Sequence, residues 1–236
     1  MSALATLSFF EYKGIANKWW AFKQMGLVPP QLSAVEGLTF GKMLGTGAGN
    51  GFSIWPNLNT YAFLGSWEKE ENAQAFMQKH PIFEAFRSRC ANTWTFYLEA
   101  ANSRGQWSGQ EPFQVFEPLE ANESVAVLTR ATLHPRYIWH FWRHVPRVSQ
   151  AVEDKPGRIL SMGVGDWPLV QQVTFSIWES CQQMEAYAYK SAHREVIEKV
   201  RQMGWFKEEL FVRFHVLKME GNPPMNAQAL MAKMAH

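Results

Sequence analysis

The chain has 236 residues, of which 47% are hydrophobic, enough for a substantial core in one large domain or two small ones packed closely. A formal charge of +2 with dispersed basic residues leaves no electrostatic footprint for nucleic acid, and no apolar run approaches the roughly 18 residues of a spanning helix. The start of the chain carries neither a cationic segment nor a cleavage pattern, so a cytoplasmic protein is expected, peripheral to a membrane when it collects an apolar substrate.

Residues 4–10 (LATLSFF) read as a strand, and Ala16 to Gly26 reads as an amphipathic helix that Pro29-Pro30 prevents from continuing. A strand at Leu38–Leu44 runs into the glycine-rich segment Gly45 to Gly51. Another at Thr60–Trp67 ends on the pair Trp67-Glu68. Helical sequence follows from Glu71 to about Arg89, interrupted at His80-Pro81, and a strand at Thr93–Glu99 closes the set.

The second half restates this order. A strand at Val125–Ala131 precedes a helix near Tyr137–Val145 and a strand at Arg158–Val164 that reaches Gly165. Trp167-Pro168 repeats Trp55-Pro56, and Trp178-Glu179 repeats Trp67-Glu68. Each Trp-Glu pair leads into a helical stretch with a histidine, His80 or His193, and then a closing strand, the second at Leu210–Leu217.

Two β-α-β-β-α-β units have the order of ferredoxin-like folds. The expected fold is α+β, with tandem ferredoxin-like repeats forming a dimeric α/β barrel as a pseudo-dimer within one chain. The expected boundaries are a first half over 1–102, a connector over 103–120, a second half over 121–220 and a C-terminal tail over 221–236, read as a turn and a short peripheral helix.

Several features bear on chemistry. Cys90 and Cys181 lie far apart without metal-ligand spacing and read as reduced thiols, with a single long-range disulfide left open. Gly45 to Gly51 lacks the helix start that a phosphate loop requires, since Phe52-Ser53-Ile54-Trp55-Pro56 follows; a loop at a cavity mouth fits better. The 11 tryptophans and 11 methionines suit either a bulky core or a large apolar ligand.

His140 and His144 stand four apart on one helical face, a spacing that can chelate a metal, but the zincin glutamate is missing. A solvated pair, or one proton donor beside an apolar cavity, remains open. His193 shares a face with Tyr189, Val196, Ile197 and Val200, a setting compatible with a haem ligand as well as with an ordinary core or surface histidine. Because Pro81 can begin a helix, His80 also reads as a residue at a helix start.

Six segments together resemble the spheroidene monooxygenase family of carotenoid ketolases. They are GKMLGTGAGNGF (41–52), RGQWSGQEPF (104–113), AVLTRAT (126–132), FWRHVP (141–146), GVGDWPLVQQVTFSIWES (163–180) and GWFKEELFVRF (204–214). The resemblance implies a haem-dependent monooxygenase that takes electrons from a donor such as a ferredoxin and inserts oxygen from O2 into a long apolar polyene. Two insertions at one carbon give a gem-diol, which loses water to leave a ketone. The cofactor carries that chemistry and the protein orients the substrate.

Under the same resemblance His193 is the candidate iron ligand, with His140 and His144 as substitutes. His140 and Arg130 are candidate catalytic groups on the distal side, and Arg213 is a candidate anchor for haem propionates. Two other readings stay open: a cofactor-free oxygenase of the antibiotic-biosynthesis type, and a non-catalytic protein that binds haem or an apolar ligand. The oligomeric state is open as well. If one half binds iron, it should be the second, which shortens the glycine loop and keeps His193 on a longer helical run.

Overall fold

The computed structural model describes residues 4–47, 55–139, 156–166, 170–190 and 203–228. Eight strands carry the fold: β1 (Leu4–Glu11), β2 (Leu38–Gly47), β3 (Pro56–Trp67), β4 (Asn92–Gly105), β5 (Val125–Leu133), β6 (Arg158–Gly165), β7 (Gln171–Trp178) and β8 (Phe206–Gly221). They close into one antiparallel barrel in the order β1-β3-β2-β6-β7-β5-β8-β4. Each half contributes four neighbouring strands in the ferredoxin-like order, so the two sheets join edge to edge and share the barrel interior.

The two seams are unequal. The β4–β8 ladder runs from Trp94↔Gly221 to Gly105↔Leu210, whereas among the described residues β2 and β6 meet at Gly45↔Gly165 and Thr46↔Val164. The start of the glycine-rich segment is therefore strand, and it forms the short seam with its counterpart in the second half.

Alternation along each strand separates two apolar layers. In β1, Ala5, Leu7 and Phe9 enter the barrel with Phe96, Leu128, Phe175, Val212 and Phe214, while Leu4 and Phe10 face outward. β1 is buried on both faces, its polar Thr6 and Ser8 included. The Phe9 and Trp94 rings stack at 5.2 Å and Phe96 packs on Phe175 at 5.3 Å, so the interior is filled by side chains.

Outside the first sheet lie α1 (Ile15–Leu27), a 3-10 turn at Pro29–Ala34, α2 (Glu70–Lys79) and α3 (Pro81–Arg87). The expected interruption at His80-Pro81 is a true break. His80 caps α3, its Nδ1 accepting from Ile82 N–H at 3.2 Å, while Pro81 occupies the first helical position. Outside the second sheet lie a 3-10 turn at Pro135–Tyr137 and α4 (Cys181–Lys190). Most of the helix expected near Tyr137–Val145 falls outside the described residues.

At each end of the barrel the chain that follows a half's last strand returns one side chain to the interior cluster. Gly105 and Gly221 take positive φ (100° and 85°), and a Cβ on either would lie 2.1 Å from the Glu209 carbonyl or 2.2 Å from that of Thr93. After Gly105, Trp107 becomes fully buried inside the barrel; after Gly221, Ala227 does the same at the opposite end. The described part of the tail is a turn and a short helix over 225–228, mostly exposed but with Ala227 buried. Asn226 donates to the Ile159 carbonyl (2.7 Å), and burial of Ala227 against the interior explains the docking. Cys90 and Cys181 are both free thiols.

Candidate functional site

The filled barrel directs attention to the outer faces of the sheets, where strand register makes the halves comparable position by position. Leu4 pairs with Trp67 as Val125 pairs with Trp178, which aligns Phe10 with Ala131, Tyr61 with Gln172 and Phe63 with Thr174. Met43 pairs with Phe63 as Gly163 pairs with Thr174.

In the first half Phe10, Met43, Tyr61 and Phe63 are at most 3% exposed and form one apolar cluster with the helices. The Phe10 ring meets Phe83 at 5.3 Å, and Phe63 meets Phe76 at 5.2 Å. The second half replaces these four side chains with alanine, glycine, glutamine and threonine. Thr129 and Ser176 extend the same small, hydroxyl-bearing floor. The exchange runs the other way at Phe211, which stands where the first half has Thr95.

At one edge of this floor α4 covers Val125 and Trp178 with Cys181 and Met184, and the Trp178 and Tyr187 rings stack at 5.1 Å. Arg213 rises there from β8. Its Nη1 donates to Glu185 Oε1 of α4 at 2.8 Å, and Cys181 Sγ lies 3.9 Å away. Burial raises the Cys181 thiol above its ordinary range, against the pull of the Arg213 guanidinium. Glu185 of α4 thus holds the Arg213 guanidinium at the rim of the floor.

Arg130 is also on the second sheet but on its other face. It continues the inward set Ala126 and Leu128, is 1% exposed and occupies the place of Phe9. Its Nη1 donates to Glu208 and to the Gln106 carbonyl (3.3 Å), and the guanidinium lies 5.4 Å from the Trp107 ring centroid. In the amide orientation that satisfies both neighbours, Gln171 accepts from Arg130 Nη2 at 3.3 Å and donates to Asp166.

Glu208 accepts further hydrogen bonds from the backbone N–H of Ser108 (3.1 Å) and Gly109 (2.7 Å). Burial alone would raise the Glu208 carboxyl, but these donors and Arg130 outweigh it and hold the group below the usual carboxylate range. The network ties the connector to the barrel end. Arg130 and Arg213 are consequently not brought together: one locks the interior, the other lines the outer floor.

His140, His144 and His193 lie outside the described residues, His193 three positions beyond the end of α4. Among the described residues no group of three His, Cys, Asp or Glu side chains could hold a metal ion. Ala131, Gly163 and Thr174 were not singled out by motif reading, since small residues in strands carry no chemical signature. Aligning the two Trp-Glu pairs and counting back four residues, to Phe63 and Thr174, is the signal that finds them.

A closed barrel of two fused ferredoxin-like halves, with a pared outer floor in one of them, defines a dimeric α/β-barrel protein with one candidate ligand face. Aldoxime dehydratase shares this fold at a TM-score of 0.59 and 10% identity, over 91% of this chain and 82% of that one. A domain family of unknown function, DUF3291, matches residues 121–230, the half that carries the floor.

Relatives identify the family. The spheroidene monooxygenase of Rhodobacter capsulatus is 35% identical over 223 residues, covering 93% of this chain and 92% of the relative. That of Cereibacter sphaeroides is 34% identical, covering 97% and 72%. The chain belongs to the spheroidene monooxygenase family and is an oxidoreductase of the monooxygenase class.

Proposed function

We propose that the protein is a haem-dependent monooxygenase that inserts oxygen from O2 into a carotenoid or a similar long apolar polyene, with the haem on the outer floor of the second sheet. The observation that carries this reading is the exchange of Phe10, Met43 and Phe63 for Ala131, Gly163 and Thr174 at matched register. Three side chains that fill the first half's outer layer are cut back in the second, and a flat macrocycle needs that space. The names of the relatives support a carotenoid as substrate.

In this reading His193 would hold the iron, with His140 or His144 as substitutes, and Arg213, now paired with Glu185, would hold a propionate. The haem, when bound, supplies activation of O2 with electrons from a donor such as a ferredoxin. The chain's own part is positional. Ala131, Gly163 and Thr174 set the depth of the floor, Arg213 fixes the acidic edge, and the packed barrel beneath denies water a route from below. Arg130, a candidate catalytic group by resemblance, faces that barrel and in this reading holds the scaffold through Glu208.

The test is haem reconstitution of the purified protein, followed in the visible spectrum. A Soret band that shifts on reduction and with CO is expected, and its absence sinks the haem reading. His193→Ala should abolish or shift that band, whereas an unchanged spectrum moves the ligand to His140 or His144. Product analysis with a reductant, O2 and a polyene distinguishes an oxygenase from a binding protein.

A further inference from the structure

Helix α1 leaves a large apolar surface without cover. Ile15, Trp19 and Phe22 recur at i, i+4 and i+7, share one face and are 87%, 57% and 51% exposed. The opposite side supplies Ala21 to the core. The Trp19 and Phe22 rings stack on each other at 5.5 Å instead of inserting into the protein. Lys18 and Lys23 flank the stripe on either side, Lys23 Nζ lying 5.6 Å from the Trp19 ring centroid.

The charge is equally lopsided. From Tyr12 to Val35 the chain has three lysines, Lys13, Lys18 and Lys23, and no acidic residue, an excess larger than the +2 of the whole protein. The same rim carries another exposed apolar side chain, since Leu58 is 52% exposed and its neighbour Asn59 accepts from Tyr12 N–H at 2.7 Å just before α1.

We propose that this face of α1 docks the protein on an anionic lipid bilayer. A central stripe with tryptophan and lysines on both flanks is the pattern of a helix lying in the interfacial plane, where the rings enter the headgroup region and the ammonium groups reach the phosphates. A second copy of the chain fits less well, because a twofold contact through α1 would set Lys18 and Lys23 against their own counterparts. No described helix is long and apolar enough to cross a membrane, so the docking is to one surface. It serves the apolar-substrate reading but does not depend on it.

Flotation of the full-length protein with vesicles tests the proposal. Binding is expected to phosphatidylcholine vesicles containing phosphatidylglycerol, and much less to phosphatidylcholine alone. Lys18→Gln with Lys23→Gln should lower the partition coefficient by about tenfold or more, given roughly 1 kcal/mol per basic residue near an anionic surface. Trp19→Ser with Phe22→Ser should abolish the binding that survives raised salt. Trp19, Phe22 and Lys23 are exposed and Lys18 is half-buried, and circular dichroism checks the fold.

Failure of the wild-type protein to float with anionic vesicles overturns the proposal, as does flotation of both variants equal to that of the wild type. A concentration-dependent dimer that the Trp19/Phe22 variant loses, without vesicle binding by either form, assigns the face to a second copy instead. Turnover of a polyene delivered in detergent should be the same in the variants and the wild type. Absence of turnover in all forms alongside intact flotation faults the enzyme reading and leaves the docking surface standing.

Discussion

The two halves share strand order, register, the closing Trp-Glu pair and even the glycine that turns the chain back into the barrel, yet their outer layers differ in kind. The first half spends its outer face on its own stability: Phe10, Met43, Tyr61 and Phe63 interlock with Phe76, Phe83 and Phe86. The second places alanine, glycine, glutamine and threonine at the matching points and keeps Arg213 at the edge. Duplication supplies two scaffolds, and only one of them has to be packed to saturation. The barrel interior shows the reverse bias, since Phe9 stacks on Trp94 in the first half where Arg130 stands beside Leu210 in the second.

The largest expected effect comes from giving the second half the first half's side chains. If the protein takes up haem as proposed, Gly163→Met with Thr174→Phe should reduce that uptake by about a hundredfold or more, read as loss of the Soret band, while circular dichroism stays unchanged. The converse change, Phe63→Ala, should leave haem uptake intact and cost about 3–5 kcal/mol of stability by chemical denaturation, because a buried ring is removed from a packed cluster. Equal loss of haem uptake from both changes would break the comparison.

Next in size is Glu208→Gln. It leaves the buried Arg130 guanidinium without its counter-charge and should lower stability by about 3 kcal/mol, with little change in haem binding, since the pair faces the interior. Gly105→Ala and Gly221→Ala should each cost about 1–3 kcal/mol from a strained positive φ and a clash with a carbonyl, and the two costs should match. Unequal values would show that the ends of the barrel are less alike than their geometry.

The smallest effect concerns His215, the counterpart of Glu99. Burial disfavours its charged form, but the Glu117 carbonyl and the Glu123 carboxylate at 2.6 Å outweigh this and raise its pKa. The stabilisation is complete below the ordinary histidine value near 6.5 and fades as pH rises through the higher folded value. Because the pair is partly solvated, the contribution should stay below about 1 kcal/mol. Thermal unfolding of Glu123→Gln against wild type, compared at mildly acidic and alkaline pH, should show the difference shrinking on the alkaline side.

Much of this architecture is legible in the chain alone. Alternating apolar runs, Pro29-Pro30 after the first helix and the repeated Trp-Glu pairs give the strand order and the repeat, because local propensity and burial period act over a few residues. His80 as a helix cap follows from the proline beside it. The family is legible too, through six segments in register.

Tertiary structure decided the rest. Whether two ferredoxin-like sheets stack or fuse depends on pairings such as Gly45↔Gly165 and Trp94↔Gly221, between residues more than a hundred positions apart. Arg130 and Arg213 look alike as arginines in apolar strands, and only strand parity in a closed barrel sends one inward to Glu208 and the other outward to Glu185. The tail reads as peripheral because Ala227 has no period around it, and only the fold shows that Ala227 packs into the interior cluster. The sequence determined what each segment is; closure of the barrel determined which face each side chain serves, because a strand has two faces and only its neighbours choose between them.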